Sequence, residues 1–392
     1  MKASFLLLFV FLCLAVKSQT VVPQKGSGSK FSFTCANMYF EIDSARGARF
    51  TSFKLNDNEI MYVDFKTTDM AGSTFWPSPQ SVWNWPPALN LDGNPYKTSI
   101  QQNKIVFTSN IDTKSMLRFY KTISASDIDT SITIDYCIKN EKTISQKWAP
   151  WEITRVLNGG LTIFAKGLGS VTGDMAPRTI ATTGYVWYDQ DQTKGGIGSK
   201  FFSDGKGWLA HIVDGDMLFI KKFDDVVYGK TAPAESEVEA YTAPDQSYTE
   251  LEDQGTYTTI AGKDSLIWHV KWFARKLPAS VNVAVGSNTL TTYIEAVLKR
   301  GATSARINLA NNVSVKVYPN PASKTITIET DLTAGRDVTL RIIDLQGRIV
   351  LSRSVSQAKD QINIEHLPRG NYIYDIQQGI KIISKGQLAI KH

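Results

Sequence analysis

The stretch Ser247–Phe273, "SYTELEDQGTYTTIAGKDSLIWHVKWF", decides between sheet and helix for the body of the chain. In its second half Trp268, Val270 and Trp272 alternate with His269 and Lys271, the period of two that a strand imposes on its faces. In its first half Glu250 and Glu252 stand two apart, so on a strand both project from the same face. Short alternating runs recur upstream in "KFSFTCANMYFEID", "ARFTSFKLNDNEIMYV", "KIVFTSNID", "MLRFYKTISA", "SITIDYCIKN", "GWLAHIV" and "DMLFIKKF". Turn signals such as "LNDNE", "SDGKG" and "VDGD" separate several of them. Residues 25–290 therefore read as one large all-β domain, a size such domains commonly reach. One helix is expected, in "TLTTYIEAVLKR", Thr289–Arg300, and residues 291–312 are expected to connect two domains.

The ends of the chain differ from this body. Residues 1–18 begin with Lys2, continue through the apolar block Phe5–Val16 and reach small or polar residues near Ser18. That is the pattern of a secretory signal peptide, and it is shorter than the about 20 apolar residues needed to cross a bilayer. Beyond it, Cys35 and Cys137 stand in a compartment that permits disulfides, and the sequence leaves open whether they pair or remain free thiols. Residues 313–392 form a second all-β module of short runs separated by Gly, Asn and Pro, with "LQGR" turning a hairpin.

Charge is unevenly distributed. Of the formal +6, the leader carries two lysines and no acid, and residues 313–392 carry eleven Lys/Arg against seven Asp/Glu, leaving thirty of each sign between them. The basic balance therefore belongs to the ends, and neither nucleic acid nor an anionic membrane is expected as the partner of the body.

The body contains no phosphate-binding glycine loop, no Gly-x-Ser-x-Gly elbow and no His-Glu-x-x-His pair. Of the four histidines only His211 and His269 lie in it, so no metal centre and no cofactor are expected. What it does concentrate is indole. "STFWPSPQSVWNWPP", Ser73–Pro87, holds three of the nine tryptophans and four of the fourteen prolines. A flat indole can meet the C–H face of a pyranose, and proline restrains the loop so that less entropy is lost on binding. Trp76, Trp83, Trp85 and Trp151 are candidate sugar platforms, and buried packing residues are the alternative for any one of them. If Glu250 and Glu252 line a cleft, mutual repulsion separates them into acid and base; otherwise they form a solvated edge. His211 alternates with Leu209 and Val213 and is expected to be a hydrogen-bonded structural residue, while His269 is expected to face solvent or be structural.

Two resemblances organise these motifs. The tail is similar to the C-terminal sorting domain of the type IX secretion system, through Tyr318-Pro319-Asn320-Pro321, Asp344-Leu345-Gln346-Gly347-Arg348, Leu367-Pro368-Arg369-Gly370-Asn371-Tyr372 and Lys391. This implies a small Ig-like β-sandwich, recognition by the type IX machinery, and release or attachment at the cell surface. The body resembles the galactose mutarotase-like superfamily, beside the aldose 1-epimerases. The motifs are Trp76-Pro77-Ser78-Pro79-Gln80 with Trp85-Pro86-Pro87, then Ala149-Pro150-Trp151-Glu152-Ile153-Thr154, Lys200, and Glu250-Leu251-Glu252 before Ala261-Gly262-Lys263-Asp264-Ser265.

That resemblance implies a large twisted β-sandwich with a saccharide on its concave face, and a late glutamate, Glu252 or Glu250, as proton acceptor. Gln80, Glu152, Arg155, Lys200 and His211 are the candidate polar contacts to the sugar. Where an epimerase carries a histidine segment, this chain has "WAPWEITRV", so the proton donor would be Glu152, Arg155, Lys200 or His211. The expectation is a secreted, monomeric, epimerase-like protein acting on a saccharide. A non-catalytic sugar-binding module and a surface protein without a ligand are the alternatives.

Overall fold

In the computed structural model, residues 21–190, 199–307, 315–330, 338–344, 349–355, 357–378 and 381–391 are described. The leader expected at residues 1–18, the hairpin turn expected at 345–348 and residues 308–314 of the expected connecting segment lie outside them. The alternation seen in the sequence becomes strand pairing. Leu117–Ser126 and Ser131–Asn140 alternate buried with half-buried residues and pair antiparallel along their whole length, from Ser131 opposite Ser126 to Asn140 opposite Leu117. Gly262 shows why one turn requires glycine: a Cβ there would collide with the Thr143 carbonyl.

Residues 1–301 form one compact unit. Its first sheet runs, in spatial order, Gln24–Lys25, Lys30–Cys35, Met38–Asp43, Arg49–Leu55, Ser73–Ser78, Gln146–Leu157, Tyr248–Gln254, Val238–Thr242 and Ser199–Ser203. Its second runs Thr179–Thr182, Tyr185–Asp189, Leu161–Ala165, Trp208–Val213, Met217–Lys222, Ser265–Lys276, Ser131–Asn140, Leu117–Ser126, Lys104–Thr108 and Lys97–Gln101. The two are closed against each other by aromatic pairs from facing sheets. Phe75 stacks on Tyr136 at 4.2 Å, Phe50 meets Trp272 at 4.7 Å and Phe53 meets Phe219 at 5.4 Å. The domain is thus a large all-β sandwich whose core lies between the sheets.

The outer face of the second sheet is covered by a helix, Asn288–Ile307, longer than the Thr289–Arg300 expected. Leu290, Ile294, Val297 and Leu298 recur at helical spacing and are buried against Ile163, Trp187, Leu218 and Phe273. This part of the 291–312 segment is therefore packed into the large unit. Cys35 and Cys137 are free thiols. Burial and the neighbouring Asp127 push the Cys35 thiol up to about 12, so it stays protonated.

Residues 302–392 form the second unit. A three-stranded sheet (Val315–Tyr318, Thr325–Thr330, Lys359–Asn363) and a four-stranded sheet (Ile349–Ser354, Val338–Ile343, Gly370–Gln378, Lys381–Ile390) make a small Ig-like sandwich. Its core contains Ile326, Ile328, Leu340, Ile342, Ile376 and Leu388. The "YPNP" motif ties the start of this unit to its end. The Ala389 N–H donates to Asn320 Oδ1 at 2.9 Å, and the Ala322 N–H donates to the Ala389 carbonyl at 2.8 Å. The Tyr372 hydroxyl donates to the Pro368 carbonyl at 2.7 Å, closing the "LPRGNY" corner.

Candidate functional site

The strand Gln146–Leu157 sits at the centre of the first sheet. Trp151 is opposite Trp76 on one side and Gln254 on the other; Ile153 is opposite Glu252, and Arg155 is opposite Glu250. Beyond these, Glu252 is opposite Glu239, Glu250 is opposite Tyr241, and Tyr241 is opposite Lys200. Facing partners share a face of the sheet. Alternation therefore places Trp76, Trp151, Arg155, Glu250, Glu252, Gln254, Glu239 and Lys200 together on the outer face. The residues between them, Phe75, Leu251 and Ala240, enter the core.

Lys200 is the hub of this floor. Its Nζ lies 2.8 Å from Glu252 Oε2 and 2.6 Å from Glu239 Oε2, and 4.9 Å from the centroid of the Trp151 ring. Trp151 Nε1 donates to the same Glu252 Oε2 at 2.8 Å. Glu239 Oε1 accepts from Gln254 Nε2 at 3.0 Å and from the Ser236 N–H at 2.6 Å. Glu250 pairs with Arg155 at 2.8 Å, and the Arg155 guanidinium lies 5.6 Å from the Trp76 centroid. Among the described residues Glu252 Oε1, Gln254 Oε1 and Arg155 Nε are buried without a hydrogen-bond partner. Buried polar atoms are ordinarily satisfied, so three orphans on one face stand out there; Glu252, Gln254 and Arg155 are themselves fully buried.

The electrostatics separate the carboxyls. Burial drives the Glu239 carboxyl far above its usual range; Lys200 opposes this, while Glu252 and Glu235 reinforce it. Burial also raises Glu250, with Arg155 opposing. Burial works against the Lys200 charge, but Glu252 and Glu239 together outweigh it and hold the ammonium well above its ordinary value. The two carboxyls on Lys200 thus differ in their surroundings: burial pushes Glu239 up against the pull of the lysine, and Glu252 shares that lysine with the Trp151 indole.

Two candidates lie elsewhere. Glu152 is fully buried and points into the space between the sheets, 3.2 Å from Lys221 Nζ, which also pairs with Asp253. The reason is parity: Glu152 is one residue out of step with Trp151 and Ile153. His211 belongs to the second sheet, is 1% exposed, and has Nδ1 3.0 Å from Thr162 Oγ1. Burial lowers it to about 3, so the ring is neutral and structural. His269 is exposed and 2.7 Å from Asp135.

The Trp/Pro segment bridges the floor and a second feature. Trp76 is edge-on to Trp151 at 5.4 Å, to Trp85 at 5.8 Å and to Trp83 at 5.9 Å. It is itself buried and anchored by Nε1 on Asp92 Oδ1 at 2.8 Å. Trp83 Nε1 donates to the Pro77 carbonyl at 2.6 Å. The Gln80 N–H donates to Glu235 Oε1 at 3.1 Å, and its side chain stays half-exposed. Trp83 and Trp85 line a groove of about 800 Å³ together with Trp148, Asp112, Lys114, Lys142 and Gln146. Glu250, Glu252 and Lys200 do not line it.

Sequence reasoning missed Glu239, Gln254 and Glu235. The signal was present in "AESEVEAY", where acids again stand two apart, as in "TELE". Among the described residues no group of three or more His, Cys, Asp or Glu is placed to hold a metal.

Residues 316–391 match the secretion system C-terminal sorting domain. The chain is therefore cargo of type IX secretion, delivered to the cell surface or the extracellular medium. No curated protein sequence matches the chain. Solved structures similar to it include galactose mutarotase-like and aldose 1-epimerase-like proteins. A putative aldose 1-epimerase from Escherichia coli K12 is 9% identical, with 66% of this chain and 99% of that one covered and a TM-score of 0.46. A galactose mutarotase-like protein from Clostridium acetobutylicum is 10% identical over 66% and 99%, at 0.45. A TPR-domain containing protein from Parabacteroides distasonis is 11% identical, at a TM-score of 0.47. The match covers 65% of this chain but spans about half, 49%, of that protein's length.

Proposed function

We propose that this is a secreted saccharide-active protein of epimerase-like character, with its sugar site on the outer face of the first sheet. The observation that carries the reading is the state of Glu252. Its Oε2 is fixed by Lys200 and Trp151, while Oε1 is buried on the same face as the Trp76 and Trp151 indoles with no partner among the described residues. Glu252 would accept the proton of a sugar hydroxyl through Oε1. Glu239, whose proton affinity burial raises against the opposing Lys200, takes the place of the histidine absent from "WAPWEITRV" and would return a proton to the ring oxygen. Glu250, held by Arg155, would orient a second hydroxyl.

Polarimetry of anomer interconversion over a panel of aldoses, paired with calorimetry, tests this. Glu252→Gln is expected to lower the rate at least about 100-fold, the usual contribution of a general base, while sugar binding persists. Glu239→Gln is expected to lower it comparably and to remove the high-pH limb of the rate profile. An unchanged rate in the Glu250→Gln/Glu252→Gln double variant would sink the reading.

A second reading, a non-catalytic sugar-binding module, is favoured by Lys200. An ammonium held above its ordinary pKa by two carboxylates is a good sugar contact and a poor acid. Binding without rate acceleration in the wild-type protein selects this alternative.

A further inference from the structure

The groove beside the Trp/Pro segment has a chemistry of its own. Its volume of about 800 Å³ falls within the about 300–1,000 Å³ of small-ligand sites. On its rim Trp85 is 55% exposed, Val82 58% and Leu89 70%, so apolar surface is concentrated where an isolated protein ordinarily avoids it. Trp148, 4% exposed, lines the same groove together with Gln146, Lys114 and Lys142.

The charges in the groove are not balanced. Asp112 accepts from both the N–H and the hydroxyl of Ser115, at 2.7 and 2.6 Å. Glu141, next to Lys142, is paired with Arg118 at 2.9 Å. Lys114 and Lys142 line the groove, and neither has a carboxylate partner among the described residues. A greasy peptide or acyl chain would cover the indoles but leave these ammonium groups desolvated, which is unfavourable. A pyranose chain bearing anions satisfies both sets, ring faces against indole and anionic groups against lysine.

We propose that this groove binds an acidic polysaccharide, a chain of pyranose units carrying carboxylate or sulfate groups. Type IX export places the groove outside the cell, where it meets polymers too large to enter. This site is distinct from the carboxylate floor, although Trp76 touches both, and it stands whether or not that floor turns a sugar over.

Affinity electrophoresis of the full secreted protein in native gels tests the proposal. Polygalacturonate and dextran sulfate serve as probes, with fully methyl-esterified pectin and plain dextran as their uncharged counterparts. Retardation by an acidic polymer and not by its neutral counterpart is expected, and the polymer that retards identifies the carboxylate or sulfate source. Trp85→Ala, at an exposed position, is expected to weaken retardation about tenfold, the equivalent of about 1.4 kcal/mol. Lys114→Gln/Lys142→Gln is expected to weaken it about threefold to tenfold and reduce its salt dependence. Glu252→Gln is expected to leave it unchanged, which separates this site from the floor. Absence of retardation by both acidic polymers, equal retardation by the neutral ones, or binding that survives Trp85→Ala would overturn the proposal. Self-association abolished by Trp85→Ala in place of polymer binding would assign the groove to a protein partner and also overturn it.

Discussion

Glu252 and Asp253 are adjacent, yet they serve opposite sides of the sheet. Glu252 meets Lys200 on the outer face, and Asp253 meets Lys221 and, through it, Glu152 between the sheets. Lys221 is wholly buried, so it compensates two carboxylates that have no access to water. Lys221→Met is expected to destabilise the large unit by about 3–5 kcal/mol, because removing one partner leaves buried charge uncompensated. The Tm of that variant measures the loss, and adding Asp253→Asn should recover part of it.

Glu237 makes a pH-dependent contribution of its own. Burial raises it to about 7; hydrogen bonds from the Gly207 and Gly205 N–H groups oppose this, and Asp225 and Asp204 reinforce it. In the unfolded chain the carboxyl titrates near 4.5. Its protonated form therefore stabilises the fold fully below that value, and the contribution disappears as pH rises through about 7. Denaturant titrations at pH 5 and pH 8 should show wild type losing up to about 3 kcal/mol more than Glu237→Gln across that window. At this scale local pattern put Glu250 and Glu252 on one strand face and singled out the tryptophans, while Lys200 and Arg155 were named through the resemblance. Glu152 was misplaced by one residue of parity, because a strand buried on both faces offers no polarity contrast to show which side is which.

Among the elements, the central strand Gln146–Leu157 shows the same limitation from the other side. Nearly all of it is buried, so its alternation of chemistry cannot be read as inside against outside. Its role follows from its neighbours, Ser73–Ser78 and Tyr248–Gln254, which bring indoles and carboxylates onto one face. Phe75, one residue before the site tryptophan Trp76, points to the opposite side and stacks on Tyr136. Phe75→Ala is expected to cost about 3–5 kcal/mol, as for other large core aromatics, and to reduce sugar affinity by shifting Trp76. A helix was expected over Thr289–Arg300, within the observed Asn288–Ile307, but its attachment to the outer face of the second sheet was not legible. Ile294→Ala is expected to cost about 2–5 kcal/mol, measured by urea denaturation, whereas a free connecting helix would show no loss.

For the whole molecule, the division into two units follows two independent cores, each with its own pair of sheets. Deletion of residues 316–391 is expected to stop transport across the outer membrane and leave the large unit in the periplasm, detected by fractionation and immunoblotting. Undiminished appearance at the surface or in the medium would contradict this. What the sequence determined by itself is what local rules govern: period-two alternation, turn residues, and a tail whose motifs recur in fixed order. Those features specify an all-β exported chain rich in indole and carboxylate. The tertiary structure alone decided which of these groups meet. Trp151 and Glu252 are 101 residues apart, Lys200 and Glu252 are 52, and their contact depends on strand order and register. Both are set by burying the two sheets against each other, a non-local free energy that no short window of sequence contains.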